Sequence, residues 1–188
     1  MATEGKGGRM TGSKACLACD LSAGEQPLPG GTIFRTAHWS VEHCIGTLGV
    51  GTLIVKPLRH VTRFAEVTPE EAADFGPLLH LITRALGEEL RPDQTYICEW
   101  SHAGWVAGHI HFVVQPAWNR DSERFEHPGP FTQVEMFRAA VPLDESEVGT
   151  FCDRMRRRLA HDSTAHPEAP EGGAVQQRSQ RPQADARA

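Results

Sequence analysis

Segment 104–116, which begins at a glycine and ends at a proline, constrains the fold most. Its β-branched and aromatic residues favour a β-strand, in which residues two apart point to the same side. His109 and His111 therefore project from one face, which they share with Val113 and Gln115. The opposite face carries three side chains that can enter a core, Ile110, Phe112 and Val114. Two imidazoles side by side suggest a metal ligand, a nucleophile or one of each, although an exposed polar face would look the same.

The length and charge of the chain limit the classes of protein to which it can belong. At 188 residues the chain is long enough for one domain of ordinary size with tails. The formal net charge of −5 gives no reason to expect binding to nucleic acid. No apolar run approaches the length of a membrane span, and the N-terminus lacks the apolar core of a signal peptide. We therefore expect a cytoplasmic protein that has neither nucleic acid nor a membrane as its partner.

The five cysteines divide into one close pair and three scattered residues. Cys16 and Cys19 form a C-x-x-C pair, which is typical of redox sites and of metal sites. A redox pair usually follows a strand, and nothing before Cys16 reads as one. The pair therefore favours a zinc half-site, which needs two more ligands from elsewhere. The scattered cysteines are expected to be small buried side chains: Cys44, Cys98 and Cys152.

The N-terminal half predicts strands followed by a helix. Three segments have the composition of strands: 32–36, 38–44 and 52–56. Thr68 is a predicted helix cap, Pro69 takes the first helical position, and Glu71 completes a capping box. The helix then carries one apolar stripe at helical spacing, formed by Phe75, Leu78, Leu79, Ile82 and Leu86. That stripe is expected to face the core.

The second half completes the predicted fold. Segment 95–100 reads as a fourth strand, and the turn at 101–104 lets the histidine strand return beside it. Strands joined mostly by short turns predict an α+β fold, in which an antiparallel sheet of about five strands has a helix packed on it. A short helix is predicted at 132–141, and a longer one across 148–159.

The ends of the chain differ in composition from the middle. Residues 1–13 are rich in Gly, Lys, Ser and Thr and are predicted to be a mobile leader. Residues 161–188 contain almost no large apolar side chain and are predicted to be a disordered tail. We assign residues 14–160 to one domain, whose core is 15–117.

The order of these motifs resembles that of the histidine triad (HIT) family. The C-x-x-C pair, Pro57 followed by His60, the capped helix and the 104–116 strand follow one another along the chain. The family's signature is a glycine, then alternating histidines with apolar residues between them, then a proline. Aligning that signature with 104–116 places its first histidine at His109 and its second at His111. The resemblance covers residues 15–117 and implies a HIT-like fold.

The resemblance also implies a chemistry and a metal. HIT proteins bind nucleotides and break or exchange bonds at the α-phosphate, through a nucleotidyl-histidine intermediate on the middle histidine. His111 has that place here, and a neutral imidazole is a good nucleophile near neutral pH. Zinc-containing relatives bind their metal at matching positions, which are Cys16, Cys19, His60 and His109. Four such ligands close a tetrahedron, so this zinc would be structural. Family members commonly form homodimers.

The sequence departs from the family pattern at two places. Val113 stands where the third histidine would be, so the donor that helps to hold the phosphate is missing. Three residues are candidates to replace it: Gln115, His102 and Ser101. The family tends to place an acidic residue near Cys44 to hold the ribose hydroxyls, and here Glu42 lies two residues earlier on the same side. We expect the following residues to contact the substrate: Gln115, His102, Ser101, Cys44 and Glu42.

Three functions are compatible with these features. The first is a nucleotidyl hydrolase or transferase, a phosphorylase included, acting at the α-phosphate of a dinucleoside polyphosphate or nucleoside phosphoramidate through His111. The second is a catalytically weak or inactive nucleotide-binding or regulatory module with a structural zinc, which the missing third histidine favours. The third is a zinc module for protein contacts, which accounts for Cys16 and Cys19 but leaves His111 without a role.

Overall fold

The computed structural model describes residues 16–103 and 106–165, except for the side chains of residues 100–107 and 162–165. The predicted leader lies outside the described residues, and so does the predicted tail beyond residue 165. Residues 161–165 continue the last helix into the segment that composition assigns to the tail.

Five strands form one antiparallel sheet, which confirms the predicted fold class. They are β1 (Thr32–Arg35), β2 (Trp39–His43), β3 (Leu53–Pro57), β4 (Gln94–Ala103) and β5 (Val106–Ala117). Their spatial order is β1-β2-β3-β5-β4, so the histidine strand β5 lies between β3 and β4. The predicted pairing of the fourth strand with the histidine strand is confirmed.

Four α-helices accompany the sheet in the described part of the chain. They are α1 (Leu17–Ala23), α2 (Pro69–Leu90), α3 (Pro130–Ala139) and α4 (Glu145–Ala165). The sequence predicted the last three but not α1. In the described residues, no helix combines the length and the apolar character that crossing a membrane requires.

The predicted capping box starts α2. The Thr68 hydroxyl accepts a hydrogen bond from the backbone N–H of Glu71 at 3.2 Å, and the Glu71 carboxylate accepts one from the backbone N–H of Thr68 at 2.8 Å. Two of the N–H groups that a helix start leaves without partners are thereby satisfied. The indole N–H of Trp39 donates to the Glu71 carbonyl at 2.8 Å, which fixes this helix end against β2.

The apolar core lies between one face of the sheet and the helices α2 and α4. The strands contribute Trp39, Val41, Leu53, Val55, Phe112 and Val114, and the helices contribute Leu78, Ile82, Leu86, Phe151, Met155 and Leu159. Ion pairs from Arg158 to Glu88, at 2.8 Å, and to Glu89, at 3.2 Å, also join the two helices. The C-terminal helix α4 is therefore part of the core and not an appendage to it.

The opposite face of the sheet is polar and is covered by the two shorter helices. The helix α1 lies over β3, where the Lys56 ammonium donates to the Ala18 carbonyl at 2.9 Å. The helix α3 lies over the end of β5, where the Gln115 amide contacts the Met136 sulfur at 2.9 Å. We call this surface, which carries His109 and His111, the polar face.

Candidate functional site

The C-x-x-C pair lies at the start of α1. Cys16 has extended backbone angles (φ −103°, ψ 106°) and occupies the N-cap position, and its carbonyl accepts from the N–H of Asp20 at 2.9 Å. Cys19 follows within the first turn, so both sulfur atoms lie at the same end of the helix. Leu21, which is 8% exposed, anchors this short helix.

Two histidines from distant parts of the chain meet the two cysteines. The ligand atoms of Cys16, Cys19, His60 and His109 lie within 4.8 Å of one another. The Nδ1 atom of His109 is 3.8 Å from the Cys16 sulfur and 3.5 Å from the Cys19 sulfur. The Cys19 sulfur is 3.4 Å from Nδ1 of His60. The structure therefore brings all four predicted metal ligands together.

The spacing of these atoms suits a tetrahedral metal. Zinc–sulfur bonds of about 2.3 Å and zinc–nitrogen bonds of about 2.0 Å, at a tetrahedral angle, separate sulfur from nitrogen by about 3.5 Å. The three sulfur–nitrogen distances lie between 3.4 and 3.8 Å. Two thiolates and two imidazoles are also the donor set that zinc prefers. The four residues could therefore hold a metal ion.

A backbone carbonyl fixes the orientation of His109. Nε2 of His109 lies 3.0 Å from the Pro57 carbonyl oxygen, which can only accept, so Nε2 carries the proton and Nδ1 presents its lone pair to the cluster. Burial lowers the pKa of His109 to about 4, which keeps the ring neutral as a metal ligand requires. Burial, together with the neighbouring Cys16, raises the pKa of the Cys19 thiol to about 11. Metal binding would therefore release a thiol proton at neutral pH.

The loop that carries His60 is fixed at both of its ends. Arg59 donates to both carboxylate oxygens of Glu71, at 2.6 and 2.8 Å, which ties the loop to the capping box of α2. The backbone N–H of Ile110 donates to the Val61 carbonyl at 2.8 Å, which ties the loop to β5 between the two histidines. The His60 ring lies edge-on to the His109 ring, with centroids 5.2 Å apart.

A buried ion pair beside the cluster was not predicted from the sequence. Lys56 and Glu42 are 1% and 4% exposed, and the ammonium lies 2.7 Å from the carboxylate. Lys56 also donates to the carbonyl of Ala18, which lies between the two cysteines. The pair therefore fixes the cysteine-bearing helix to the sheet. Burial raises the pKa of the Glu42 carboxyl, even though Lys56 lies beside it.

The sequence does contain a signal for this pair. Glu42 lies two residues after Ser40 on β2, and Lys56 lies two residues after Ile54 on β3. Strand alternation therefore places both side chains on the polar face. A lysine near the end of a strand is usually solvated, and the pattern alone could not show that α1 would bury it.

His111 lies on β5 two residues beyond His109. Its Nδ1 is 3.2 Å from the backbone carbonyl oxygen of His109, so Nδ1 carries the proton and donates. Nε2 then keeps a lone pair that the carbonyl cannot engage, which is the arrangement that a nucleophilic imidazole needs. Glu42 also interacts electrostatically with His111. One carbonyl therefore connects a metal ligand to the predicted nucleophile.

The predicted substrate contacts are mostly buried. Cys44 and Gln115 are 8% and 3% exposed. The Cys44 sulfur accepts from the N–H of Gly46 at 3.3 Å, and the Gln115 amide donates to the Leu48 carbonyl at 3.3 Å. Glu42 is engaged by Lys56 as described above. The side chains of Ser101 and His102 lie outside the described residues.

The place of the missing third histidine is filled by apolar contacts. Val113 is 2% exposed and forms a small cluster with Cys44 and Leu48, against which Ile54 and Met136 pack. Met136 belongs to α3, which the sequence predicted as a helix without indicating which face of the sheet it covers. Its contact with the polar face was therefore missed.

The comparisons with known proteins rest on structure. No protein-family model matches the sequence, and no curated protein matches it. A zinc-bound histidine triad family protein from Mycobacterium smegmatis is similar in structure, with a TM-score of 0.60 and 21% identity, over 82% of this chain and 100% of that one. This chain has the histidine triad fold.

Further structures agree with this fold. A hypothetical histidine triad nucleotide-binding protein from Sulfolobus tokodaii has a TM-score of 0.61 at 14% identity, over 79% of this chain and 94% of that one. The diadenosine triphosphate hydrolase of Plasmodium falciparum has a TM-score of 0.53 at 12% identity, over 69% of this chain and 76% of that one. The predicted HIT-like fold is confirmed, and its two histidines lie on β5 as predicted.

Proposed function

We propose that this histidine triad-fold protein is a nucleotidyl hydrolase or transferase in which His111 is the nucleophile. The observation that carries the proposal is the hydrogen bond from Nδ1 of His111 to the His109 carbonyl, which leaves the Nε2 lone pair available. Two of the similar structures belong to proteins described as nucleotide-binding and as a diadenosine triphosphate hydrolase, which supports a nucleotide as the substrate.

The reaction proceeds in two displacements. Nε2 of His111 attacks the α-phosphorus, a P–N bond forms, and the bond to the leaving group breaks with its electron pair on the departing oxygen or nitrogen. The Nδ1–H bond to the His109 carbonyl stabilises the positive charge that develops on the imidazole. Water or another acceptor such as inorganic phosphate then attacks phosphorus, and the P–N electron pair returns to Nε2. When water is the acceptor, it gives up a proton to the solvent.

The metal in this proposal is a structural zinc. Cys16, Cys19, His60 and His109 would hold the zinc, which would supply a structural crosslink and would not activate water. His109 contributes Nδ1 to this set while its carbonyl orients His111. The protein's own residues thus hold the nucleophile in a fixed tautomer.

The substrate-contacting residues stay predictions. Glu42 and Cys44 are proposed for the ribose side, and one of Gln115, His102 and Ser101 for the phosphate. The nucleotide is the partner we propose, and the expected homodimer and cytoplasmic location also stay predictions of the sequence.

A second candidate is a nucleotide-binding module without turnover. The observation that favours it is the apolar packing of Val113, which puts no hydrogen-bond donor at the third position. The orientation of His111 favours the enzyme instead, because binding alone has no need of a nucleophile.

Turnover by the purified holoprotein separates the two candidates. The wild type, His111→Ala and the control His80→Ala, which changes an exposed histidine on α2, are each incubated with diadenosine polyphosphates and with an adenosine phosphoramidate. We expect AMP from the wild type and the control, and a loss of at least about 10³-fold in His111→Ala. ADP formed from diadenosine polyphosphates in added phosphate would identify a phosphorylase. Nucleotide binding without products would favour the module.

A further inference from the structure

The helix α3 covers the part of the polar face that lies beyond His111. Along β5 the polar-face residues after His111 are Val113 and Gln115, which are 2% and 3% exposed. Both contact Met136 of α3. Cys44, 8% exposed, belongs to the same small cluster. Two of the residues proposed to contact the substrate, Cys44 and Gln115, are therefore closed off by α3 in this arrangement.

Several side chains hold α3 on the polar face. Met136 reaches between the sheet and the loop that joins β2 to β3, where its methyl group would lie 3.3 Å from a Cβ at Gly49. Thr47 of that loop donates to the Met136 carbonyl at 3.4 Å. The Gln133 amide lies 3.8 Å from the Cys98 sulfur. Gln133 is the one side chain of α3 that is fully buried.

The contact between α3 and the sheet is incomplete in two respects. Clefts of about 230 and 240 Å³ flank α3, one reaching Thr132 and the other reaching Met136 and Ala139. The side-chain carbonyl oxygen of Gln115 is buried beneath the helix without a hydrogen-bond partner. Both features lower the free energy needed to lift α3 from the sheet.

We infer that α3 is a displaceable cap over the nucleotide site. In the closed arrangement described above, Met136 covers Val113 and Gln115, which follow His111 on the polar face of β5. This surface becomes accessible to a nucleotide when α3 moves away. Withdrawal also frees the Gln115 amide, whose unpaired oxygen then meets water or the ligand. This inference rests on the proposed function, because it assumes that the substrate reaches His111 across this surface.

The cap has a quantitative consequence for binding. Where only the open form binds, the apparent Kd is the intrinsic Kd divided by the open fraction. A substitution that weakens the seat of α3 without touching the nucleophile therefore tightens binding. A helix that formed a wall of the pocket would behave oppositely, since its truncation would remove contacts to the ligand.

The test compares Met136→Ala with the wild type by calorimetric titration with AMP. We expect the variant to bind about tenfold more tightly. Val134→Ala, on the outer face of the same helix at 37% exposed, is the matched control and should bind as the wild type does. Hydrogen exchange across residues 130–139 is measured in parallel, and AMP should accelerate exchange there in the wild type. Thermal melting checks that each variant is folded.

The outcomes separate the cap from the proposed function. The cap would be overturned if folded Met136→Ala bound AMP no more tightly than the wild type, or if AMP slowed hydrogen exchange in α3. Turnover that depends on His111 would still support the proposed function in that case. Absence of AMP binding and turnover in the wild type and in both variants would overturn both proposals.

Discussion

Alternate residues of β2, β3 and β5 point to opposite faces of the sheet, and the two faces are buried by different kinds of contact. On the core face, Val41, Val55 and Val114 meet the long helices α2 and α4 through apolar contacts alone. On the polar face, buried groups such as Lys56 and Glu42 each require a specific partner. An apolar core tolerates apolar substitutions that keep its volume, whereas a buried charge is stable only beside its counter-charge. Positions that look equivalent along one strand therefore differ in what a substitution costs.

The largest effect is expected at the four candidate metal ligands, Cys16, Cys19, His60 and His109. Cys19→Ser removes the sulfur that lies closest to both His60 and His109. Structural zinc in small Cys/His sites binds with apparent free energies of about 10–16 kcal/mol, so losing one thiolate should outweigh every other single substitution proposed here. Elemental analysis should find about one zinc per chain in the wild type and almost none in the variant. Cys98→Ser, outside the cluster, should keep its zinc. Full zinc in Cys19→Ser would remove Cys19 from the ligand set.

The buried ion pair gives the next effect. Lys56→Met leaves the Glu42 carboxylate buried without a counter-charge, and we expect the free energy of unfolding to fall by about 3–5 kcal/mol in urea titrations. Replacing both partners, as Glu42→Leu with Lys56→Met, should restore most of that loss. Arg63→Met is the control for an exposed pair, since Arg63 and Glu66 are 77% and 38% exposed, and it should lower the free energy of unfolding much less than Lys56→Met does. Equal losses at the two pairs would contradict the contrast between buried and exposed charge.

A substitution in the core face should reduce stability without changing chemistry. Leu53 is fully buried, and Leu53→Ala should lower the free energy of unfolding by about 2–5 kcal/mol. Turnover per folded molecule should stay unchanged, because no polar-face residue loses a contact. Ile97→Ala, on the edge strand at 45% exposed, should cost less than about 1 kcal/mol. A change in KM for Leu53→Ala would show that the two faces are coupled.

The smallest effect is a pH dependence that arises in the core face. His43 is buried, its Nδ1–H donates to the Cys44 carbonyl at 2.7 Å, and its Nε2 accepts from the N–H of Gly51 at 3.0 Å. Burial lowers the pKa of His43 in the folded state. Below the ordinary pKa of about 6.5, the His43 imidazole binds a proton in the unfolded chain but stays neutral in the folded chain. This contribution to stability is therefore complete above that pH and is lost as the pH falls towards the folded pKa.

The measurement is urea unfolding at a series of pH values for the wild type and His43→Asn. The wild type should lose at most about 1.4 kcal/mol per pH unit through this group. The slope should be shallower in His43→Asn and unchanged in His80→Ala. Identical slopes in the wild type and His43→Asn would assign the acid sensitivity to other groups.

The same contrast explains what the sequence could predict. Periodicity identified β5 and the apolar stripe of α2, because a core face repeats at fixed spacing whatever its partners are. The four metal ligands were assigned through the resemblance to HIT proteins and not through periodicity. The helix α1 was missed because it has seven residues and only Leu21 is buried, so it has no stripe to detect.

Tertiary contacts decided the rest of the site. The helix α3 was predicted, but its seat on Val113 and Gln115 depends on which face of the sheet had space for it. The burial of Lys56 likewise depends on the carbonyl of Ala18, which lies far away in the sequence. Such contacts leave no local pattern in the sequence. The residues of the polar face could therefore be predicted, but the helices that cover it could not be placed there.

The central claim is that His111 becomes covalently nucleotidylated on the polar face. The direct measurement is to quench the holoprotein in base during turnover of an adenosine phosphoramidate and to map the adenylyl group by peptide mass spectrometry. We predict an acid-labile, base-stable adduct on the peptide that contains His111, and no adduct in His111→Ala. Turnover by the wild type without any adduct, or with an adduct on another residue, would contradict the assignment of His111 as the nucleophile.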